Sequence, residues 1–287
     1  SGGGGGGDAV KKFRYPSYVE AIMGDIFSLG FGPFRWVCTS ASGADLRATD
    51  TIALQVMAEL KARYERESAA ASSDDVEDVV AAYAAKAVPQ LEDNMHWIRK
   101  ADQHKMVVGS QARILYANAE ARVKIALALN EAIGNGTLTA PVVLSRDHHD
   151  VSGTDSPWRE TSNIEDGSKF CADMAVHNAI GDACRGATSV ALHNGGGTEW
   201  GESVNGGFQL VLDGTSDAAR RASQMHHWDV MNGVARRAWA GNKNALSCTE
   251  AEQHINGSLE LQYPHQVEPK VLEHAVETFF RGEGLEK

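Results

Sequence analysis

The densest chemistry in the chain is Arg146-Asp147-His148-His149-Asp150, which runs on through Thr154 and Asp155 to Pro157-Trp158-Arg159-Glu160-Thr161. Histidine exchanges protons near neutral pH, and a neighbouring aspartate can tune or orient it. Asp150 and His148 are therefore candidates for proton transfer. Arg159 has the planar fork that grips a carboxylate through two hydrogen bonds. So many ionisable groups directly after an apolar strand are costly to pack unless they are paired or used. The bland alternative is a solvated loop with local ion pairs, and the clustering at a strand end weighs against it.

A second group follows at His193-Asn194-Gly195-Gly196-Gly197-Thr198-Glu199-Trp200-Gly201. The glycines let backbone amides approach a ligand closely, as a phosphate or an anionic intermediate requires, with His193 and Asn194 beside them. The run is neither GxGxxG nor a P-loop, so a tight turn stays open as the alternative. Metal is another reading of the first group, because Asp147-His148-His149-Asp150 resembles the core of the DHH phosphoesterases. Such sites gather several Asp and His motifs from along a chain. Here His96, His104, His177 and His193 are scattered, and His226-His227 falls on an amphipathic helix, as packing would place it. The aromatic run Phe31-Gly32-Pro33-Phe34-Arg35-Trp36-Val37-Cys38-Thr39 reads as structural, since no base is assignable to Cys38.

These groups need a frame to hold them. Apolar runs at 141–145, 188–193 and 208–213 alternate with helical stretches at about 118–133 and 168–184 and with a helix capped near Ser216. That alternation predicts an α/β fold, a layered core with a largely parallel sheet flanked by helices, plus a helical segment before it. In such sheets ligands collect at the carboxyl ends of strands. Both groups above sit at such ends. Residues 46–105 are the helical segment: DTIALQVMAELKARY spaces its apolar residues at i, i+3, i+4 and i+7, and SSDDVEDVVAAYAAKAV opens on a serine–aspartate start signal. A further helix is expected from Tyr18 to about Phe27, and another around Val271–Phe280 without assignable chemistry. The expected organisation is a glycine-rich tether at 1–12, an aromatic and helical part at 13–105 and an α/β part at 106–287.

Composition narrows the function. At 287 residues and 43% hydrophobic, the chain can bury a real core. Its 38 acidic and 27 basic residues leave a net charge of −11, with no Lys/Arg block to grip a nucleic-acid backbone. No apolar run reaches the roughly 18 residues of a membrane helix, and the start lacks the features of a signal peptide. Cys38, Cys171, Cys184 and Cys248 show no CxxC pair and read as reduced thiols of a cytosolic protein.

SRDHHDVSGTDSPWRETSNIEDGSKFCADMAVHNAIGDACRGAT, followed by ALHNGGG and NGGFQLVLDG, resembles the signature region of the urocanate hydratase family. FRYPSYVEAIMGDIFSLGFGPFRWVCTS and VVGSQARILYANAEARVKIAL are similar to the family's long-form members, so the resemblance covers residues 13–245. It implies hydration of urocanate to imidazolone propionate in histidine breakdown, a hydro-lyase reaction with bound NAD as an electrophile. Residue by residue, Asp150 matches the family's acidic catalytic residue, with His148 beside it. Arg159 matches the arginine that neighbours substrate. Gly197 matches a glycine that contacts NAD, in one loop with Asn194, Gly195 and Gly196. A cytoplasmic homodimer is implied as well. Two departures stand out. Leu115, in Ala112-Arg113-Ile114-Leu115-Tyr116, occupies the place of an active-site cysteine named in short bacterial members, and Cys38 is not its equivalent. Thr198-Glu199 stand where relatives carry Val-Gly. The family's N-terminal half, with its NAD-binding domain, precedes the region matched here, so the chain is expected to need that half for activity.

Overall fold

A computed structural model describes residues 24–70, 79–104, 111–146, 173–193, 205–256, 260–262 and 267–281. The helices among them are α1 (Gly24–Ser28), α2 (Gly43–Ala70), α3 (Val79–Ala101), α4 (Ala119–Gly134), α5 (Asp173–Cys184), α6 (Ser216–Trp239), α7 (Lys243–Ile255) and α8 (Pro269–Arg281). The strands are β1 (Gly32–Cys38), β2 (Ala112–Ala117), β3 (Val142–Arg146), β4 (Ser189–His193) and β5 (Asn205–Leu212), in the spatial order β2-β1-β3-β5-β4.

Side chains alternate across a strand, so each strand splits its residues between two faces. Phe34, Trp36, Leu115, Val142, Leu144, Phe208, Leu210 and Leu212 take the buried face. They join Met57, Leu60 and Tyr64 of α2, Leu91 of α3, Ile125 and Leu129 of α4, and Met225, Val230 and Val234 of α6 in one cluster. The residues between them on the strands, among them Val37, Ile114, Tyr116, Val143 and Val211, are only half buried. The helices cover one side of the sheet. Side-chain caps set where helices begin, as Asn242 Oδ1 does for α7 by accepting the Ala245 N–H. Asn118 Oδ1 accepts the Ala121 N–H at the start of α4, and Thr215 Oγ1 accepts the Ala218 N–H at the start of α6.

Among the described residues the expected strands at 141–145, 188–193 and 208–213 and the helices at about 118–133 and near Ser216 sit close to where the pattern placed them. Gly24–Ser28 and Asp173–Cys184 are the described parts of two others. The sheet, however, is not parallel. Every pairing among the described strands is antiparallel: β1 with β2, β1 with β3, β3 with β5 and β4 with β5. The physical reason lies in insertion. Each strand–helix–strand passage returns the chain in its original direction, so β2, β3 and β4 all run the same way. The gaps between them are filled by strands running back: β1 lies between β2 and β3, and β5 between β3 and β4. Same-direction strands therefore never touch. The aromatic run around Phe34, read as a structural segment, turns out to be β1, a strand paired on both sides. No helix among the described residues is long and apolar enough to cross a membrane.

Candidate active site at one sheet edge

Direction, more than adjacency, decides which loops can meet. Because β2, β3 and β4 point the same way, their last residues, Ala117, Arg146 and His193, share one edge of the sheet with the first residues of β1 and β5. Register refines this. Arg146 and Val190 both pair with Phe208, on opposite sides of β5, and His193 pairs with Asn205. Strand β4 thus outruns β3 by three residues along β5, since 208 − 205 = 3. At about 3.4 Å per residue and about 4.8 Å per strand spacing, Arg146 and His193 end about 14 Å apart. Residues 147–172 leave from the first point and residues 194–204 from the second.

The candidate residues themselves, Asp150, His148, Arg159, Asn194, Gly195, Gly196 and Gly197, lie outside the described residues, as do Thr198 and Glu199. His193 is described: it closes β4, half buried, opposite Asn205. The sheet brings the origins of the two segments to one edge, and it is on this edge that the surrounding polar groups are organised.

Two buried networks brace it. In the first, Asn118 Nδ2 donates to the hydroxyls of Tyr64 (3.1 Å) and Tyr83 (3.0 Å), and Tyr64 donates on to Glu120 (3.0 Å). Arg63 grips Glu120 with both Nη1 and Nη2, and Lys124 adds a contact at 2.9 Å. Burial pushes the Glu120 carboxyl up, but these two cations carry it below its ordinary value. Burial drives both tyrosines well above theirs, so each stays a neutral hydroxyl. In the second network Arg122, fully buried, donates from Nε to Ala117 O (2.9 Å), from Nη2 to Pro33 O (3.1 Å) and from Nη1 to Asp229 Oδ2 (3.0 Å). It ties the end of β2 and the start of β1 to α6. Asp229 Oδ1 accepts from Asn178 Nδ2 of α5 at 3.3 Å.

None of these bracing residues stood out in the sequence. A signal was available: Arg122 sits in a helical pattern between Ala121 and Ile125 on the buried stripe, where periodicity calls for an apolar residue. Cys38 and Cys248 are buried, and burial raises both thiols above their ordinary range, which leaves them protonated packing groups. Leu115, the residue at the bacterial cysteine position, is a core side chain. His226 is fully buried against the rings of Phe34 and Phe208, as expected of packing. Among the described residues no group of His, Cys, Asp and Glu has the arrangement to hold a metal ion. A groove of about 820 Å³ lies between helices, lined by Glu120 and Lys124 of the first network and by Arg185, Gln224, His227 and Glu252 among others, with no strand residue in its described lining.

The described residues form an α/β domain with an antiparallel five-stranded sheet, in which β3 and β4 end at the same border. A family profile described as Urocanase C-terminal domain matches residues 25–251, and the chain belongs to that family. It is 55% identical to the urocanate hydratase of Mus musculus over 278 residues, 94% of this chain and 38% of the mouse protein. To the urocanate hydratase of Homo sapiens it is 56% identical over 279 residues, 95% of this chain and 39% of the human protein. A probable urocanate hydratase of Caenorhabditis elegans is 54% identical over 263 residues, 91% of this chain and 36% of that protein. The chain thus spans under two-fifths of the length of these relatives. The phosphoesterase reading of Asp147–Asp150 finds no support in these matches.

Proposed function

We propose that this chain is the C-terminal part of a urocanate hydratase and supplies the groups that bind urocanate and move its protons. The observation that carries the reading is the family match across residues 25–251. The common edge at which β3 and β4 end supports it, since that edge is the origin of both candidate segments. In this reading Arg159 clamps the urocanate carboxylate by a bidentate contact. Asp150, with His148 beside it, delivers and removes the protons that water addition requires. The product is imidazolone propionate.

NAD belongs to the same reading, held by Asn194, Gly195, Gly196 and Gly197. The surroundings fit. Gly206 and Gly207 follow Asn205 at the start of β5, opposite Leu192 and Ala191, so glycine continues along this edge and no β-carbon fills the space beside the backbone there. When bound, NAD supplies an electron sink for the substrate's ring. The rest of the cofactor site is assigned to the N-terminal part of the relatives, and the working form to a cytoplasmic homodimer.

The test joins the chain to the N-terminal part that its relatives carry, adds NAD and urocanate, and follows loss of urocanate ultraviolet absorbance. The expected outcome is steady loss, with NAD released from the denatured protein by mass spectrometry. A folded protein that leaves the absorbance untouched refutes the assignment.

A further inference from the structure

Helix α5 is attached to the body in an unusual way. Among its positions of described burial, Ala175, Asn178, Ala179, Gly181 and Asp182 are buried, while Val176 and Ile180 are 42% and 58% exposed. The small face lets the helix close onto α6: Gly181 lies against the Trp228 indole, His177 meets that ring edge-on at 5.2 Å and Arg185 lies over it at 4.0 Å. Hydrogen bonds are directional, so polar partners add a set register to that contact. They converge on Asn178. Its Nδ2 donates to Asp229 Oδ1, and its Oδ1 accepts from Asn232 Nδ2 and from Arg236 Nη2 at 3.1 Å. One residue earlier, His177 Nδ1 lies 3.1 Å from Arg236 Nη1.

Asp229 joins this cluster to the strand ends. It and Arg122 form an ion pair with both side chains at 0% exposure. Such a pair is expensive to desolvate, and a packed apolar pair in its place is often no less stable. Geometry gives it another use. Arg122 holds Pro33 O and Ala117 O at the candidate edge, Asp229 holds Arg122, and Asn178 hangs from Asp229.

We propose that Asp229 is a positioning residue, which through Asn178 fixes α5, the helix into which residues 147–172 lead, at a set place relative to the sheet edge that Arg122 binds together. The inference rests on urocanate hydration as proposed above. Without Asp229 the helix loses its reference to β1 and β2, and turnover falls although the core is intact.

The experiment uses the holoenzyme and compares Asp229→Asn, Asn178→Asp and the double exchange, with Leu129→Ala as a control in the core of α4. Asp229→Asn leaves the buried Arg122 without its counter-charge and should lower Tm. In the protein that remains folded, kcat should fall by about tenfold or more with KM little changed, the split expected of misplaced groups and not of unfolding. The double exchange restores an amide–carboxylate pair in reverse, now with the carboxylate beside Arg236, and should recover most of the lost kcat. Leu129→Ala should lower Tm as well, by emptying part of the core, and keep the kcat of the parent. An Asp229→Asn enzyme within about twofold of the parent in kcat overturns the proposal, and so does a double exchange no better than the single change. Should Asp229→Asn fail to fold, Asn178→Ala decides, because it removes the bond and leaves no charge unpaired: reduced kcat supports the role and parental kcat overturns it. Should the parent holoenzyme leave urocanate untouched, the functional reading has failed. Hydrogen exchange on the chain then decides, faster exchange across α5 but not α4 in Asp229→Asn supporting the role and unchanged exchange overturning it.

Discussion

The two edges of the sheet are built on opposite plans. At the edge where β1 and β5 end, the chain turns back through short, hydrogen-bonded connections at 39–42, 135–141, 185–188 and 213–215. Thr39 Oγ1 donates to Pro141 O at 2.7 Å, and Asp45 Oδ2 accepts both the hydroxyl (2.7 Å) and the N–H (3.2 Å) of Thr139. Asn130 Oδ1 accepts the Gly214 N–H, and its Nδ2 donates to Thr215 O, each at 2.9 Å. At the other edge β3 and β4 give way to residues 147–172 and 194–204, and the bracing comes from helix residues below. One edge closes the fold. The other is where the proposed chemistry would sit, in keeping with the common division between a rigid scaffold and functional loops.

Substitutions should separate the two edges by what they damage. The largest effect is expected from Asp150→Ala, and from Arg159→Ala beside it, in the holoenzyme: turnover falls by about 10²–10⁴-fold for the acid–base group, while Tm stays near that of the parent. Steady-state kinetics with calorimetry checks both, and equal losses of Tm and activity would break the contrast. Next comes Gly214→Ala at the closed edge. Gly214 has φ +84°, and a β-carbon there would lie 2.8 Å from the Gly134 backbone, so about 2–3 kcal/mol of stability should be lost in urea unfolding. The kcat of the folded protein should not change. Asn130→Ala removes two bonds that hold the same turn and should cost about 1–2 kcal/mol by the same measurement.

The smallest effect is Glu120→Gln, read through pH. Arg63 and Lys124 hold the folded carboxyl below its ordinary 4.5 against the pull of burial, so the charged form contributes stability above that pH. The parent should exceed the variant by about 1 kcal/mol at neutral pH. The difference should shrink as pH drops below about 4.5 and vanish once it has passed the folded value. A difference independent of pH from neutral to acid would show that the Arg63 contact is packing only.

Much of this was legible in the residues. Helix starts near Asn118 and Ser216 were legible, and the alternation of strands and helices gave the α/β class. It also set β3 and β4 in one direction, but it put β5 with them, whereas β5 runs back between the two, and it did not mark β2 as a strand. What periodicity could not reveal is which strand fills the gap between two others. Pairing partners are set by tertiary packing, and β1, far upstream of β3, inserts beside it with no local trace. The same limit hid Arg122 and Asp229, since a buried pair joining residues on two helices is a contact of the fold. The motif at 146–161 could be read as chemistry because charge packed behind an apolar run is costly wherever it occurs. Its strand, ending at Arg146, is where that reading put it.

Asn118 is the only residue between β2 and α4. Its amide is already committed to the helix start and to two tyrosines that project from α2 and α3. A corner so tethered has no slack. A displacement of the α2–α3 hairpin cannot be absorbed by a hinge there, and is passed on as a rotation of α4 and a shift of the β2 tip. The layer should respond to load as a single stiff plate, delivering small movements at its helical rim undiminished to the strand termini.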